Sequence, residues 1–392
     1  MGEVARFSVP VGFGDLLPEE VRRRERVERE LLGRFSAWGY LPFVPSAVEE
    51  AKAMRALGVD EAQAFTLIGP HGELLYLRPD GTLPVVRFLK NLLPHMADVP
   101  VRLMYAIDVF RRTNGGGERA TWRQVGLELV GLSPPWGEVE VLALAEEALS
   151  LSGRRFRVAI GHARFFPYLL EVLGVSGGKA ASLHAALRER DWVRFRREAQ
   201  LLDPGAREIL ARFLSWRGEP ASVFDRLVRE GPWGADLPPP VGELKAVAEH
   251  LDRIGRGGAL YVDLPMLPKH AYYSGIVVEG FVAGTGVPLL VGGRYDSLLT
   301  REGERGLPAL GFAVDAGLLA SLLPPPPSPP VVRILFAPER FSEAFREAEE
   351  VRRTGRVAVL EPLHDVAGAT VAASSVPAGL GIAESVEVRV FS

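Results

Sequence analysis

Residues 259–319 carry, in order, ALYVDL (259–264), the pair Tyr272-Tyr273, a second short apolar run, GGRYD (292–296) and PALGFA (308–313). Apolar runs punctuated by glycines predict antiparallel strands that end in a glycine-rich corner and lead into a buried helix. Paired tyrosines beside such a corner supply flat walls, hydroxyl groups and a close backbone approach, the ingredients of a small polar-ligand pocket. Packing alone is the plainer reading of either tyrosine taken singly. The order and spacing of all the pieces favour the pocket.

Around this stretch lies a chain of 392 residues, long enough for about two or three domains with a large core. It has no cysteine, which excludes a disulfide framework, a thiolate metal site and a cysteine nucleophile, and makes the cytoplasm the expected compartment. No leader peptide is read at Glu3–Gly14, and no uncharged apolar run approaches the roughly 20 residues that span a bilayer. The net charge of −3, with acids and bases well mixed, gives no general attraction to polyanions.

Before the tyrosine stretch, the turn-rich lead-in 10–18 precedes a helix expected over 19–38 and stopped by Gly39. A short strand at 41–44, a short helix at 48–56 and a hairpin over 64–77 follow. Arg78-Pro79-Asp80-Gly81-Thr82 is a turn whose residues, read alone, cap the helix 83–93. Strands at 101–109 and 122–131 flank a glycine-rich, basic loop, 111–119, that suits either phosphates or simple mobility. Glu138–Leu151 is an amphipathic helix. After a strand at 156–160, helical segments near 163–174, 179–187, 190–200, 204–217 and 219–230 predict an inserted all-helical domain, ended by Pro238-Pro239-Pro240. A helix near 241–255 returns to the core. Pro324–Pro330, with six prolines in seven residues, reads as a stiff linker to a small strand–helix–strand unit and an Ala/Gly/Ser/Val-rich tail.

Taken together these pieces resemble the catalytic core of a class II aminoacyl-tRNA synthetase of the histidyl type over about residues 10–320. Five signatures carry the resemblance in order: GFGDLLP (12–18), RPDGT (78–82), Phe110-Arg111 with QVGLE (124–128), the tyrosine pair, and GGRYD with GFA (311–313). The implied fold is α+β. A class II synthetase-like antiparallel sheet flanked by helices would occupy 1–160 and 241–323, with an inserted helical domain (161–240), a Pro-rich linker (324–330) and a small C-terminal α/β unit (331–392). The resemblance places Asp80, Thr82, Gln124 and Glu128 at ammonium-binding positions of a histidine pocket and Tyr272 and Tyr273 on its imidazole side. Arg111 matches the motif 2 arginine.

The ATP half departs from the family pattern. The acid expected two residues after Arg111 is Thr113, the Gly-Arg-x-Arg loop reads Gly117-Glu118-Arg119-Ala120, and the usual Glu-Arg of the last helix is Gly317-Leu318. The arginine beside the reacting carboxylate aligns with Pro268, and a family aspartate with Ala271. Loss of one preorganised charge-stabilising donor typically costs about 10² to 10³ in rate, and several are missing together.

A histidine pocket without ATP machinery is similar to the regulatory subunit family of ATP phosphoribosyltransferase. That resemblance implies a non-catalytic chain with no cofactor and a pocket that is vestigial or regulatory. It also implies a homodimer of this chain, a short-form catalytic partner in a hetero-octamer, histidine biosynthesis and feedback by free histidine. The alternatives are an active histidyl-tRNA synthetase, a ligase needing ATP, Mg²⁺ and tRNA, and a stand-alone histidine sensor. Residues 331–392 hold seven arginines against nine acids, a poor balance for reading tRNA. The seven histidines are scattered without metal-ligand spacing, so no metal site is expected, and His270 alone lies beside the pocket tyrosines.

Overall fold

A computed structural model of the chain describes residues 8–92, 100–112, 119–234, 236–268, 270–300, 306–327, 330–363 and 386–391. The chain divides into two compact units, Met1–Gly14 with Arg26–Leu322, and Asp15–Glu25 with Leu323–Ser392.

The strands of the first unit are β1 (Leu41–Pro42), β2 (Val48–Glu50), β3 (Thr66–Ile68), β4 (Leu74–Leu77), β5 (Val101–Phe110), β6 (Thr121–Val130), β7 (Phe156–His162), β8 (Arg217–Gly218), β9 (Leu260–Asp263), β10 (Ile276–Val282), β11 (Leu290–Arg294) and β12 (Ala309–Asp315). Nine of them form one sheet in the order β1-β5-β6-β12-β11-β10-β7-β9-β8, and β2-β4-β3 form a small antiparallel sheet. The large sheet is antiparallel except where β1 meets β5 and β7 meets β9.

β5 and β6 pair in a register from Val101 opposite Val130 to Phe110 opposite Thr121. β12 lies on the other side of β6, with Phe312 opposite Leu127. Where β11 crosses β12, Gly292 and Gly293 face Phe312 and Gly311, and a Cβ on Gly292 would sit 2.3 Å from the Gly311 carbonyl oxygen. A Cβ on Gly311 would fall 2.0 Å from Glu128 Oε2, so the bare backbone here is what lets the Glu128 side chain lie across the sheet.

The helices of this unit are α1 (Pro18–Ala37, from Arg26 onward), α2 (Ala51–Ala56), α3 (Thr82–Leu92), α4 (Trp136–Ser150), α5 (Phe165–Val172), α6 (Gly177–Arg188), α7 (Trp192–Gln200), α8 (Pro204–Phe213), α9 (Pro220–Glu230), α10 (Pro239–Arg253) and α11 (Ala316–Leu322). α1 buries Val27, Leu31 and Phe35, the last edge-on to Phe312 at 5.7 Å. α4 lays Val141, Leu144 and Leu149 on the sheet, where a Cβ on Gly280 would approach Leu149 Cδ1 to 2.8 Å. In the helical segment Phe165, Phe166, Phe195, Phe213 and Trp216 pack as one aromatic cluster, with Phe166 and Phe213 stacked at 5.1 Å.

Two expectations change. Residues 48–56 are not one helix, because Val48–Glu50 pairs with β4 before the chain turns into α2. The segment 161–240 is not all-helical, because β8 closes the edge of the large sheet against β9, and the segment belongs to the same compact unit as the core.

In the second unit β13 (Val331–Phe336), α12 (Phe341–Arg353), β14 (Val357–Pro362) and β15 (Val386–Phe391) form a parallel sheet in the order β14-β13-β15. Ala344, Ala348 and Val351 of α12 pack on Val332, Ile334 and Phe336. The tail expected to follow the strand–helix–strand unit therefore ends in a third strand, while residues 364–385 lie outside the described residues.

Candidate functional site

The ends of β6 and β12, the turn before α3 and the segment 270–273 enclose a cavity of about 150 Å³. Asp80, Thr82, Arg111, Gln124, Tyr272 and Tyr273 all line it, so the structure brings together six residues scattered over most of the chain. The two tyrosine rings lie 4.8 Å apart at 55°, and His270 stacks on Tyr272 at 5.0 Å with its plane tilted by 2°. Tyr295, from the glycine-rich corner, stands edge-on to Tyr272 at 6.3 Å.

The turn Arg78–Thr82 is held from below. Arg78 is buried and donates from Nη1 to the Pro45 carbonyl at 2.7 Å and from Nε to that of Asp108 at 2.7 Å. Asp80 Oδ1 accepts from the Leu83 amide at 2.9 Å, so Asp80 both caps the first turn of α3 and lines the cavity. Gly81 has no room for a side chain, because a Cβ would meet the Tyr105 ring at 2.3 Å.

Glu128 does not line the cavity. It lies beneath, 1% exposed, with the Thr82 hydroxyl donating to Oε1 at 2.8 Å, Tyr105 to Oε1 at 3.2 Å and Tyr295 to Oε2 at 2.5 Å. Burial pushes its carboxyl up to about 7, against the three hydroxyls that favour the ionised form. The same burial, with Glu128 beside them, holds the Tyr105 and Tyr295 hydroxyls well above the ordinary phenol range. Both Glu128 oxygens are therefore engaged by hydroxyl donors, and of these donors Thr82 and Tyr295 line the cavity. Gln124 is different, because its Oε1 is buried and has no hydrogen-bond partner. An orphan acceptor in a cavity wall is a place for a ligand donor.

Arg111 donates from Nε to the Pro79 carbonyl at 2.7 Å and lies 5.9 Å from the centre of the Trp122 ring. Beyond it, Arg119 pairs with Asp315 Oδ2, and Asp315 Oδ1 accepts the Leu318 amide at 2.9 Å at the start of α11. A Cβ on Gly317 would sit 3.4 Å from Arg119 Nη1. Arg119, the arginine that the altered loop retains, is thus at this end and is paired with Asp315. Thr113 and Gly117-Glu118 lie outside the described residues. Pro268 and Ala271 are described and do not line the cavity.

The GGRYD corner divides its labour. Buried Arg294 donates from Nε to Glu138 Oε1 at 2.8 Å and from Nη1 to Asp296 Oδ1 at 3.1 Å, while Asp296 Oδ1 accepts the Ala309 amide at 2.8 Å. These two charged residues knit the corner, and Tyr295 alone faces the cavity. Sequence reasoning missed Tyr105, Trp122 and Asp315. The usable signal for Tyr105 was its register opposite Gly126, where a Cβ would come within 2.6 Å of the phenol oxygen.

The histidyl-tRNA synthetase family model matches residues 12–319. The chain is 35% identical to an ATP phosphoribosyltransferase regulatory subunit of Rubrobacter xylanophilus over 360 residues, 89% of this chain and 84% of that one. It is 32% identical to one of Desulfitobacterium hafniense over 379 residues, 91% and 92% of the two chains. The crystal structure of an ATP phosphoribosyltransferase regulatory subunit/histidyl-tRNA synthetase from Bacillus halodurans matches with a TM-score of 0.82 at 28% identity, over the whole of both chains. With matches of this length, the chain belongs to the ATP phosphoribosyltransferase regulatory subunit family, built on the histidyl-tRNA synthetase fold.

Proposed function

We propose that this chain is a non-catalytic subunit that assembles with a short-form ATP phosphoribosyltransferase and supports the first step of histidine biosynthesis. Free histidine is the ligand proposed for its cavity, as a feedback signal or as an inherited stabiliser of the fold. The observation that carries the reading is the asymmetry of the cavity. Its lining keeps Asp80, the orphan Gln124 Oε1 and the tyrosines, while Arg119, next to the lining residue Asp315, is paired with that carboxylate and Leu318 stands where the family pattern has arginine. Adenylation drives a carboxylate against a triphosphate and needs free cationic groups for the developing charge. A neutralised pair does not supply them.

The subunit is proposed to dimerise on its own, to join its partner as a hetero-octamer in the cytoplasm, and to bind no tRNA. Among the described residues, no helix is long and apolar enough to cross a membrane. The deciding experiment mixes the purified chain with a short-form catalytic subunit and follows pyrophosphate release from phosphoribosyl pyrophosphate and ATP. Activity should rise with added chain to a fixed stoichiometry. A catalytic subunit equally active alone would sink the proposal. The retained amino-acid side also fits an active synthetase, and histidine-dependent ATP/pyrophosphate exchange at synthetase rates would select that reading.

A further inference from the structure

A second cavity of about 100 Å³ lies between the helical segment and the far side of the large sheet. One wall comes from the end of α6 and the start of α7, with Arg188, Arg190 and Trp192, and from β8 with Arg217. The other comes from Asp263, Met266 and Glu279. None of these residues lines the first cavity.

The charges here are incompletely matched. Asp263 carries a buried Oδ1 without a hydrogen-bond partner. Burial raises its carboxyl, with Arg217 opposing and Glu279 adding to the rise. Glu279, 4% exposed, is met by Arg190 Nη2 at 3.2 Å, and the Arg190 side chain is 60% exposed, so this ion pair lies at the solvent side of the cleft. Arg190 takes φ of 55° at the end of α6, a left-handed conformation that disfavours a side chain, and it aims that side chain across the cleft. Neither Arg188 nor Arg217 has a carboxylate within ion-pair distance among the described residues. Arg217 is held by its Nε bond to the Leu214 carbonyl at 3.1 Å and by the Trp192 ring, 5.7 Å from its guanidinium carbon.

An Asp263 Oδ1 without a donor, the Arg217 guanidinium opposite it and Arg188, both outside any ion pair among the described residues, and an indole against Arg217 are complementary to one kind of molecule. We propose that this cleft binds a small zwitterion of the free α-amino-acid type, its ammonium against Asp263 and Glu279 and its carboxylate on Arg217 and Arg188, with Trp192 as the flat wall. A fixed guanidinium favours a planar carboxylate geometrically as well as by charge. The cleft wall at Met266 also packs in one cluster with Val277 and Tyr273, so an occupant here would abut the segment that carries the first cavity's tyrosines. The proposal does not rest on the regulatory reading of the chain.

Trp122 lines the first cavity and Trp192 the second, which gives each its own reporter. The full-length chain is titrated with each of the standard free α-amino acids while tryptophan emission is followed, in the natural sequence and in Trp122→Phe and Trp192→Phe. At least one amino acid should give an emission change that survives Trp122→Phe and disappears in Trp192→Phe. Calorimetry with that amino acid should show affinity reduced roughly tenfold to a hundredfold in Asp263→Asn and in Arg217→Gln, each charged contact being worth about that much. Arg217→Gln, at the cavity rim, covers the case in which Asp263→Asn fails to fold. No Trp192-dependent change with any amino acid at millimolar concentration would overturn the proposal, as would undiminished affinity in a folded variant.

Discussion

The two ends of the first cavity rest on the same strands, β6 and β12, yet their polar groups are satisfied in opposite ways. Toward Asp80 and Tyr295, three hydroxyls converge on buried Glu128, whereas Gln124, four residues away along β6 and opposite Asp315, has an Oε1 without a partner. Toward α11, Asp315 takes both the Arg119 guanidinium and the Leu318 amide, so both of its oxygens are engaged. Across the same pair of strands, then, the Gln124 acceptor is open while the carboxylate opposite it is occupied. Recognition and charge stabilisation are separable in this fold because different residues of neighbouring strands supply them.

The largest expected effect tests the closed end. Histidine-dependent ATP/pyrophosphate exchange should fall about 10³-fold or more below that of a working synthetase, since each missing charge donor removes about 10² to 10³. Exchange within tenfold of a synthetase would erase the distinction between the two ends.

Next is the corner that supports both. Arg294 and Glu138 are 4% and 3% exposed, and removal of Glu138 leaves the buried guanidinium with Asp296 as its one remaining ion-pair partner among the described residues. Glu138→Ala should destabilise the chain by about 3–5 kcal/mol, read from chemical denaturation. A loss below about 1 kcal/mol would mean that Asp296 alone satisfies the Arg294 guanidinium.

The ligand-ready end has a pH signature. Burial holds the Glu128 carboxyl at about 7 in the folded chain, above the 4.5 of a free glutamate. Between those values the folded state binds more protons than the unfolded state, so stability falls as pH rises through the window, by about 3 kcal/mol for a shift of this size. Glu128→Gln should flatten the slope of unfolding free energy between pH 5 and 7. An unchanged slope would show that the hydroxyl set keeps Glu128 ionised throughout.

The sequence made the pocket legible through residues whose role is local. Gly-rich punctuation located β11 and β12, and the tyrosine pair and the Arg78–Thr82 turn fell where a pocket wall needs them. What stayed hidden depends on distant partners. Val48-Glu49-Glu50 is rich in helix formers at its C-terminal side and becomes a strand only because β4 pairs with it and Arg87 meets buried Glu49. β15 reads as a loose valine-rich tail until β13, some fifty residues earlier, supplies its parallel partner. Glu128 looked like a lining carboxylate because nothing local discloses that Tyr105 and Tyr295 claim its oxygens. Arg119 was legible as a loop cation, but its pairing with Asp315 belongs to tertiary contact alone.

The smallest effect asks whether the open end senses anything. Glu128→Ala is a poor probe of it, because the substitution also strands the hydroxyls of Thr82, Tyr105 and Tyr295. Gln124→Leu is cleaner. Its Oε1 has no partner in the unliganded chain, so replacing the amide by an apolar group of similar size should leave stability level or slightly higher. A hydrogen bond to a ligand ammonium is worth about 1.5–3 kcal/mol, so affinity for free histidine should fall roughly tenfold to a hundredfold by calorimetry. That opposition, steady folding with weaker binding, is what a structural role for Gln124 would not produce. A ligand regulates only if it binds two functional states with different affinity. If the Gln124→Leu chain loses direct histidine binding while the assembled complex keeps its full histidine inhibition, the first cavity is an inherited shape and the sensor lies at another surface of the assembly. If inhibition weakens in step with binding, the orphan acceptor is the point at which histidine couples to the partner.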